Sequence, residues 1–454
     1  MSNSSVETGA RSHWSSRWAF FLVTIGSAIG LGNIWKFPYM AGKNGGSAFV
    51  LIYLGCILMI GLPLLMAELS LGRRGQSNPI ASMRKLALEA GQSKVWQVLG
   101  AIGVFGALLI LSFYSVVAGW ILEYAAQAFR GFEGLTAEAA AERFGAVLGN
   151  PGLLIGWHTV FMLLTAGVVA RGVTGGIERA NRILMPALFV IVLVMFGYGL
   201  VAADMSSAFA FLFHFDLKEV SASVVLSAMG HAFFTLSLGM GAIMTYGSYL
   251  DRGAPIGRTC LMITVADTAV ALIAGLAIFS IVFANGLEPA SGPGLILQTL
   301  PIAFGQMPGG QAMAVLFFVL VLFAAWTSAI SLLEPFIAYL TERFSLRRSL
   351  ATWGTCVAVW LLGVAVCLSF NEWSAVKLFG LGIFDLLDAL TSKILMPLSG
   401  LLIAIFVGWI MQRQHVREEL GMPEAGFRVL QFLLRYVSPV AIVLIFMHVL
   451  GWLG

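Results

Sequence analysis

Amide, hydroxyl and carboxylate side chains set beside glycines in apolar stretches are where this chain could do chemistry. The stretch TIGSAIGLGNIWKFPY (24–39) carries Gly30-Leu31-Gly32 followed by Asn33, and FFTLSLGMGAIMTYGSY (233–249) carries Gly239-Met240-Gly241. Glycine weakens a helix, and in lipid a helix must satisfy its own backbone groups. Two Gly-x-Gly interruptions in long apolar segments therefore read as deliberate breaks, whose freed N–H and C=O groups can hold an ion and a carboxylate together. Glycine also serves close helix packing, but Gly-xxx-Gly suits that role better, and Asn33 has no packing rationale. The pattern argues against a nucleotide loop, because no strand precedes the glycines and Gly-x-Gly-x-x-Gly is completed in neither stretch. Asp267, in TVADTAVALIAG, is a lone carboxylate in an apolar segment and a functional candidate by default; Glu68 and Glu334 are further acids of this kind.

The elements that must position these groups are membrane helices. Of 454 residues, 59% are hydrophobic and 11% charged, with mean hydropathy +0.92. A soluble domain carries about 25% charged residues, so this chain is an integral membrane protein. Eleven apolar segments are expected, near 18–40, 48–72, 96–128, 153–170, 178–203, 224–250, 259–284, 312–340, 352–370, 381–411 and 430–453. Residues 1–17 are polar and no cleavable signal peptide is visible. With the N-terminus inside, most of the 26 Lys and Arg fall on the cytoplasmic side; the exceptions are Lys36, Lys43, Arg130, Arg143, Lys218, Lys377 and Lys393. An odd number of spans then places the C-terminus outside. Outside, 135–149 reads as a short surface helix, and 285–310 as either a hairpin over an outer opening or a structured loop. Cys56, Cys260, Cys356 and Cys367 read as small apolar core residues.

The segments one and six carry the breaks at matching places of two halves, about 18–203 and 224–411, with 430–453 an added helix. With RSHW, NGGSAF, GLPLLMAELSLGRR, GGIERANRILMP and AAWTSAISLLEP in order, the chain resembles a bacterial member of the neurotransmitter:sodium symporter family, with the leucine-transporter fold. The likeness spans nearly the whole chain. It implies an all-α membrane fold of eleven transmembrane helices, a 5+5 inverted repeat with helices 1 and 6 unwound, in a bacterial cytoplasmic (inner) membrane.

The resemblance implies two sodium sites built from oxygen donors, which suit a hard cation. The first would use the Ala28 carbonyl, Asn33, Thr235 and Asp267, with the substrate carboxylate. The second would use the carbonyls of Gly26, Ile29 and Ala324 and the hydroxyls of Thr327 and Ser328. Ile110, Tyr114, Phe234, Ser237, Met240, Ser328 and Leu332 would surround the substrate. Amides at Leu31 and Gly32, with the Tyr114 hydroxyl, would hold its carboxylate; carbonyls at Ala28, Phe234 and Thr235 would hold its ammonium. Gly30 stands where amine carriers place Asp, which points to an amino acid with an apolar or aromatic side chain. Met240 is a flexible wall that admits larger side chains. Asp267, with Ala271 one turn on, implies chloride independence. No cofactor beyond transported sodium and no nucleic-acid partner is implied.

The outer gate would pair Lys36 with Asp388 or its rival Asp385, under a lid of Tyr114 and Phe234. The inner gate would pair Arg11 with Glu342, beside Trp14. His231 replaces a Gln that supports the outer basic residue. Glu68 would steady the unwound segments, and Glu334 is expected neutral in the core; either is a candidate proton carrier. A channel would need a polar pore or repeated filter loops, and an intramembrane enzyme a metal-spaced His pair or a Ser/His/Asp grouping; the sequence shows none of these. A non-transporting amino-acid sensor on the same fold is the closest alternative.

Overall fold

In a bilayer only structures that close their own backbone hydrogen bonds can span. The chain is accordingly helical. The computed structural model describes residues 13–215, 219–251, 253, 255–289, 294–449 and 452. In chain order the helices are α1 (Arg17–Ala28), α2 (Gly32–Lys43), α3 (Ser47–Gly75), α4 (Pro79–Glu89), α5 (Lys94–Ala128), α6 (Ala137–Leu148), α7 (Pro151–Val169), α8 (Val173–Ala202) and α9 (Met205–Phe213). They continue as α10 (Ala222–Thr235), α11 (Ala242–Ser248), α12 (Ile256–Ala284), α13 (Leu295–Gln306), α14 (Gly310–Phe344), α15 (Arg348–Leu368), α16 (Ile383–Ile410), α17 (Arg413–Leu420) and α18 (Glu424–His448).

Among the described residues nine of these are long and apolar enough to cross a membrane, and ten if α1 and α2, bent by 47° at their break, form one span. The sixth expected span is not in that count. It is split into α10 and α11, and neither piece is long enough alone. The surface helix expected at 135–149 is α6, whose first turn is capped by Thr136 on the Ala139 amide at 3.3 Å. The apolar piece of 285–310 is the helix α13. Three helices were not expected: α4, α9 and α17. For α4 the signal is Asn78-Pro79. Asn78 caps the Ala81 amide at 3.1 Å and Pro79 occupies the first helical position.

The breaks are held by close helix packing. α3 lies along α11 with glycines on both sides of the contact: a Cβ at Gly72 would stand 1.9 Å from the Met244 carbonyl oxygen, and one at Gly247 would stand 2.7 Å from that of Leu69. α5 and α14 form the most extensive helix pair and carry Tyr114 and Ser328 to the same level.

Glu334 is not the neutral core acid expected. It is fully buried, accepts a hydrogen bond from the Tyr249 hydroxyl at 2.7 Å, and forms a two-point ion pair with Arg348 at 2.5 and 3.0 Å. Arg348 opens α15, so a charge that reads as interfacial in sequence turns inward. Removing one partner of a buried pair leaves an uncompensated charge and costs about 3–5 kcal/mol, whereas removing both is close to neutral. Arg348→Gln is therefore expected to destabilise strongly, and the Glu334→Gln/Arg348→Gln double variant to recover most of the loss, in thermal unfolding of the detergent-solubilised protein. Gly72→Ala should cost about 1–3 kcal/mol by overpacking the α3–α11 contact. Gly55→Ala, where a Cβ meets nothing within 4 Å, should leave the same midpoint unchanged.

Candidate ion and substrate site

The first break starts where Ile29 turns extended, with ψ 104°, after α1 ends at Ala28. Asn33 spans the gap. Its Oδ1 accepts the Gly30 amide at 3.1 Å, and its Nδ2 donates to Asp267 Oδ1 at 2.8 Å and to the Asp267 carbonyl at 3.1 Å. The second break runs over Leu236–Gly241, where Ser237, Gly239 and Gly241 have φ of 53°, 76° and 72°. Gly239 needs both its backbone freedom and its bareness, since a Cβ there would lie 2.8 Å from the Met396 carbonyl oxygen. Its amide donates to Glu68 Oε2 at 3.0 Å, so Glu68 from α3 steadies the unwound turn.

Asp267 joins the two breaks. One carboxylate oxygen accepts from Asn33 in the first, the other from the Thr235 hydroxyl in the second at 3.1 Å. Three of the four groups expected at the first sodium site thus meet, all buried, around one negative charge. The second expected set lies against the same segment. Ser328 Oγ donates to the Ser27 carbonyl at 3.5 Å, and Thr327 Oγ1 lies 3.1 Å from the Ala324 carbonyl while also donating to Phe323 at 3.0 Å. Gly26 has no room for a side chain: a Cβ would sit 2.0 Å from Asn181 Oδ1.

Ser27 and Asn181 had no place in the sequence reading. The Ser27 carbonyl accepts from both Ser328 Oγ and, at 2.7 Å, Ser237 Oγ, so it ties the two broken segments and α14 together. A backbone acceptor leaves no mark in side-chain pattern. Asn181, buried in α8, could have been found as an amide in an otherwise apolar helix face.

Leu31, Tyr114 and Phe234 line a cavity of about 370 Å3, a size that suits a small organic ligand. The Leu31 amide faces the Tyr114 hydroxyl at 3.5 Å. A Cβ at Gly30 would lie 2.4 Å from Ser328 Oγ and 3.3 Å from the Tyr114 hydroxyl, so no larger residue fits there unless they move. Ile110, Met240, Ser328 and Leu332 are buried and do not line this cavity, nor does Ser237.

Lys36 and Asp388 line the cavity, and Asp385 does not. The pair expected at the outer gate is not formed: Lys36 makes no ion pair with Asp388, and its ammonium sits 3.9 Å from the centre of the Phe234 ring. His231 does not support Lys36 by a hydrogen bond. Its ring lies among Phe37, Phe49 and Tyr53, 5.3–6.0 Å between centroids, and neither nitrogen has a partner among the described residues. At the other end Trp14 is buried, edge-on to Tyr246 and Tyr249 at 5.4 and 5.7 Å, and its Nε1 donates to the Tyr246 carbonyl at 3.1 Å. Glu342 accepts from the Asn78 amide and side chain at 2.8 Å each, joining α14 to α4. Arg11, its expected partner, lies outside the described residues.

Two interrupted helices around one carboxylate is an arrangement with known relatives. A crystal structure of MhsT in complex with L-phenylalanine superposes with TM-score 0.89 at 41% identity, covering 96% of this chain and 99% of that one. The sodium-dependent transporter YhdH of Bacillus subtilis is 39% identical over 446 residues, 97% of this chain and 98% of that protein. A sodium-dependent transporter of Haemophilus influenzae is 33% identical over 445 residues, 96% of this chain and 97% of that protein. The model of the sodium:neurotransmitter symporter family matches residues 11–136 and 140–452. This chain belongs to the sodium:neurotransmitter symporter family, as a multi-pass membrane protein with the leucine-transporter fold and a sodium-dependent symporter.

Proposed function

We propose that this symporter imports an apolar or aromatic L-amino acid together with sodium, by alternating access and without chloride. The observation that carries the reading is Asp267, whose two oxygens engage Asn33 at one break and Thr235 at the other. A cation bound there is offered a fixed negative charge, so an added anion is unnecessary. Sodium at this point also fixes both broken segments, which couples the ion to the substrate held between them. The second sodium is assigned to the Gly26, Ile29, Ala324, Thr327 and Ser328 set.

The substrate class rests on the apolar cavity walls and on MhsT, whose structure holds L-phenylalanine. The Leu31 and Gly32 amides with Tyr114 take the substrate carboxylate. Met240 and Leu332, buried and outside the lining of the open cavity, are assigned to its side chain in the bound state. The arrangement is that of a carrier open at the Lys36 end and shut at the Trp14 end. In this reading 18–203 and 224–411 are inverted halves, the N-terminus and the arginine-rich end face the cytoplasm, and the C-terminus faces outward across the inner membrane.

Uptake of labelled leucine and tryptophan into proteoliposomes tests the whole. Accumulation above equilibrium under an inward sodium gradient, and none under equal potassium, is expected. Sodium-dependent binding without accumulation would instead identify a sensor. Uptake should be equal in chloride and gluconate, and a strict chloride requirement would overturn the role given to Asp267. Asp267→Asn, which removes the charge but keeps the shape, should lower the apparent sodium affinity by about tenfold or more. Met240→Phe should reduce tryptophan uptake relative to leucine by about tenfold; an unchanged ratio would remove Met240 from the pocket wall.

A further inference from the structure

A second cleft, remote from Asp267 and Tyr114, lies between α4, the start of α5 and the end of α14. It encloses about 620 Å3 and its lining divides by chemistry. One side is apolar. Val98 and Phe105 stand two turns apart on α5, each 48% exposed, on a face that meets lipid in a spanning helix. Phe105 sits edge-on to Phe336 at 5.6 Å, and Phe336 touches Tyr339 at 6.1 Å, so an aromatic furrow between α5 and α14 leads into the cleft. The other side carries Arg84 from α4 and Arg343 from the last turn of α14.

Neither arginine makes an ion pair among the described residues, although seven other arginines of that end of the bundle do. The guanidinium of Arg343 lies 5.9 Å from the Phe344 ring. Glu342 also lines the cleft, but its carboxylate is turned to the Asn78 amide and side chain. Two forked cations at the rim of a furrow that is apolar toward the bilayer match a headgroup phosphate with attached acyl chains. A soluble anion would satisfy the arginines and leave Val98 and Phe105 uncovered.

We propose that this cleft binds an acidic phospholipid, its phosphate between Arg84 and Arg343 and an acyl chain along Phe105 and Phe336. The bound lipid bridges α4 to α14, the same two helices that the Asn78–Glu342 contact joins. The inference stands whatever substrate the carrier moves.

Native mass spectrometry of the full chain in detergent, with dioleoylphosphatidylglycerol or dioleoylphosphatidylcholine added, tests it. Preferential retention of phosphatidylglycerol is expected, and Arg84→Gln/Arg343→Gln should lower that retention roughly tenfold while leaving phosphatidylcholine unchanged. Val98→Trp, which fills the furrow and keeps both charges, should lower it too. Unfolding midpoints equal to that of the parent protein in lipid-free detergent establish that both variants are folded. Equal retention of the two lipids, or phosphatidylglycerol retention that neither variant alters, would overturn the proposal. Displacement of the lipid by millimolar glycerol 3-phosphate would overturn it in favour of a soluble-anion site.

Discussion

Every backbone N–H and C=O buried at membrane depth needs a partner, and the architecture follows from how that requirement is met where two helices stop. At Gly30 and Gly239 the missing intrahelical partners are replaced by side chains: the Asn33 amide oxygen for one amide and the Glu68 carboxylate for the other. Asn33 then hands its own donor to Asp267. The breaks are therefore scaffolded gaps, closed by a few polar groups that each do two jobs. Close packing of α3 on α11 keeps Glu68 within reach, and α12 supplies Asp267 between the two gaps.

The charges of the bundle sort by the same logic. Those with permanent partners, such as Glu334 with Arg348 and Arg73 with Glu419 at 2.7 Å, hold helix ends in register. Lys36 and Asp388 share a cavity without pairing, and the ammonium rests on the Phe234 ring and not on the carboxylate. Asp267 is a third kind. It is fully buried, it meets hydrogen-bond donors but no cation among the described residues, and its two oxygens engage both broken helices.

Much of this was legible in the sequence because the signals are local. Gly-x-Gly within an apolar run marks a break, and a lone Asp within another marks a site. The helices α6 and α13 were bounded by their turn residues. What stayed hidden depends on direction in space. Arg348 is separated from Glu334 by the last ten residues of α14 and a short turn, and only the trajectory of α15 brings the two together. His231 stands in sequence where a residue supporting Lys36 was expected, but it projects among three rings. The Ser27 carbonyl leaves no side-chain trace at all. The helix α4 was passed over because its exposed face, with Arg84 and Lys85, reads as a loop unless the Asn-Pro cap is noticed.

Trp14 gives the short α1 a handle. The indole is bonded to the Tyr246 carbonyl and wedged against the ring of Tyr249, whose hydroxyl in turn rests on Glu334. α11 itself cannot move without α3, because Gly72 and Gly247 leave no slack between them. The lead-in to the first span is thus fastened to that block by an aromatic plug on one side and, on the other, by Ser15, whose amide donates to Glu178 at 3.1 Å. Drawing that lead-in away from the bundle would move one indole from an aromatic socket into water, so its displacement carries a hydrophobic cost.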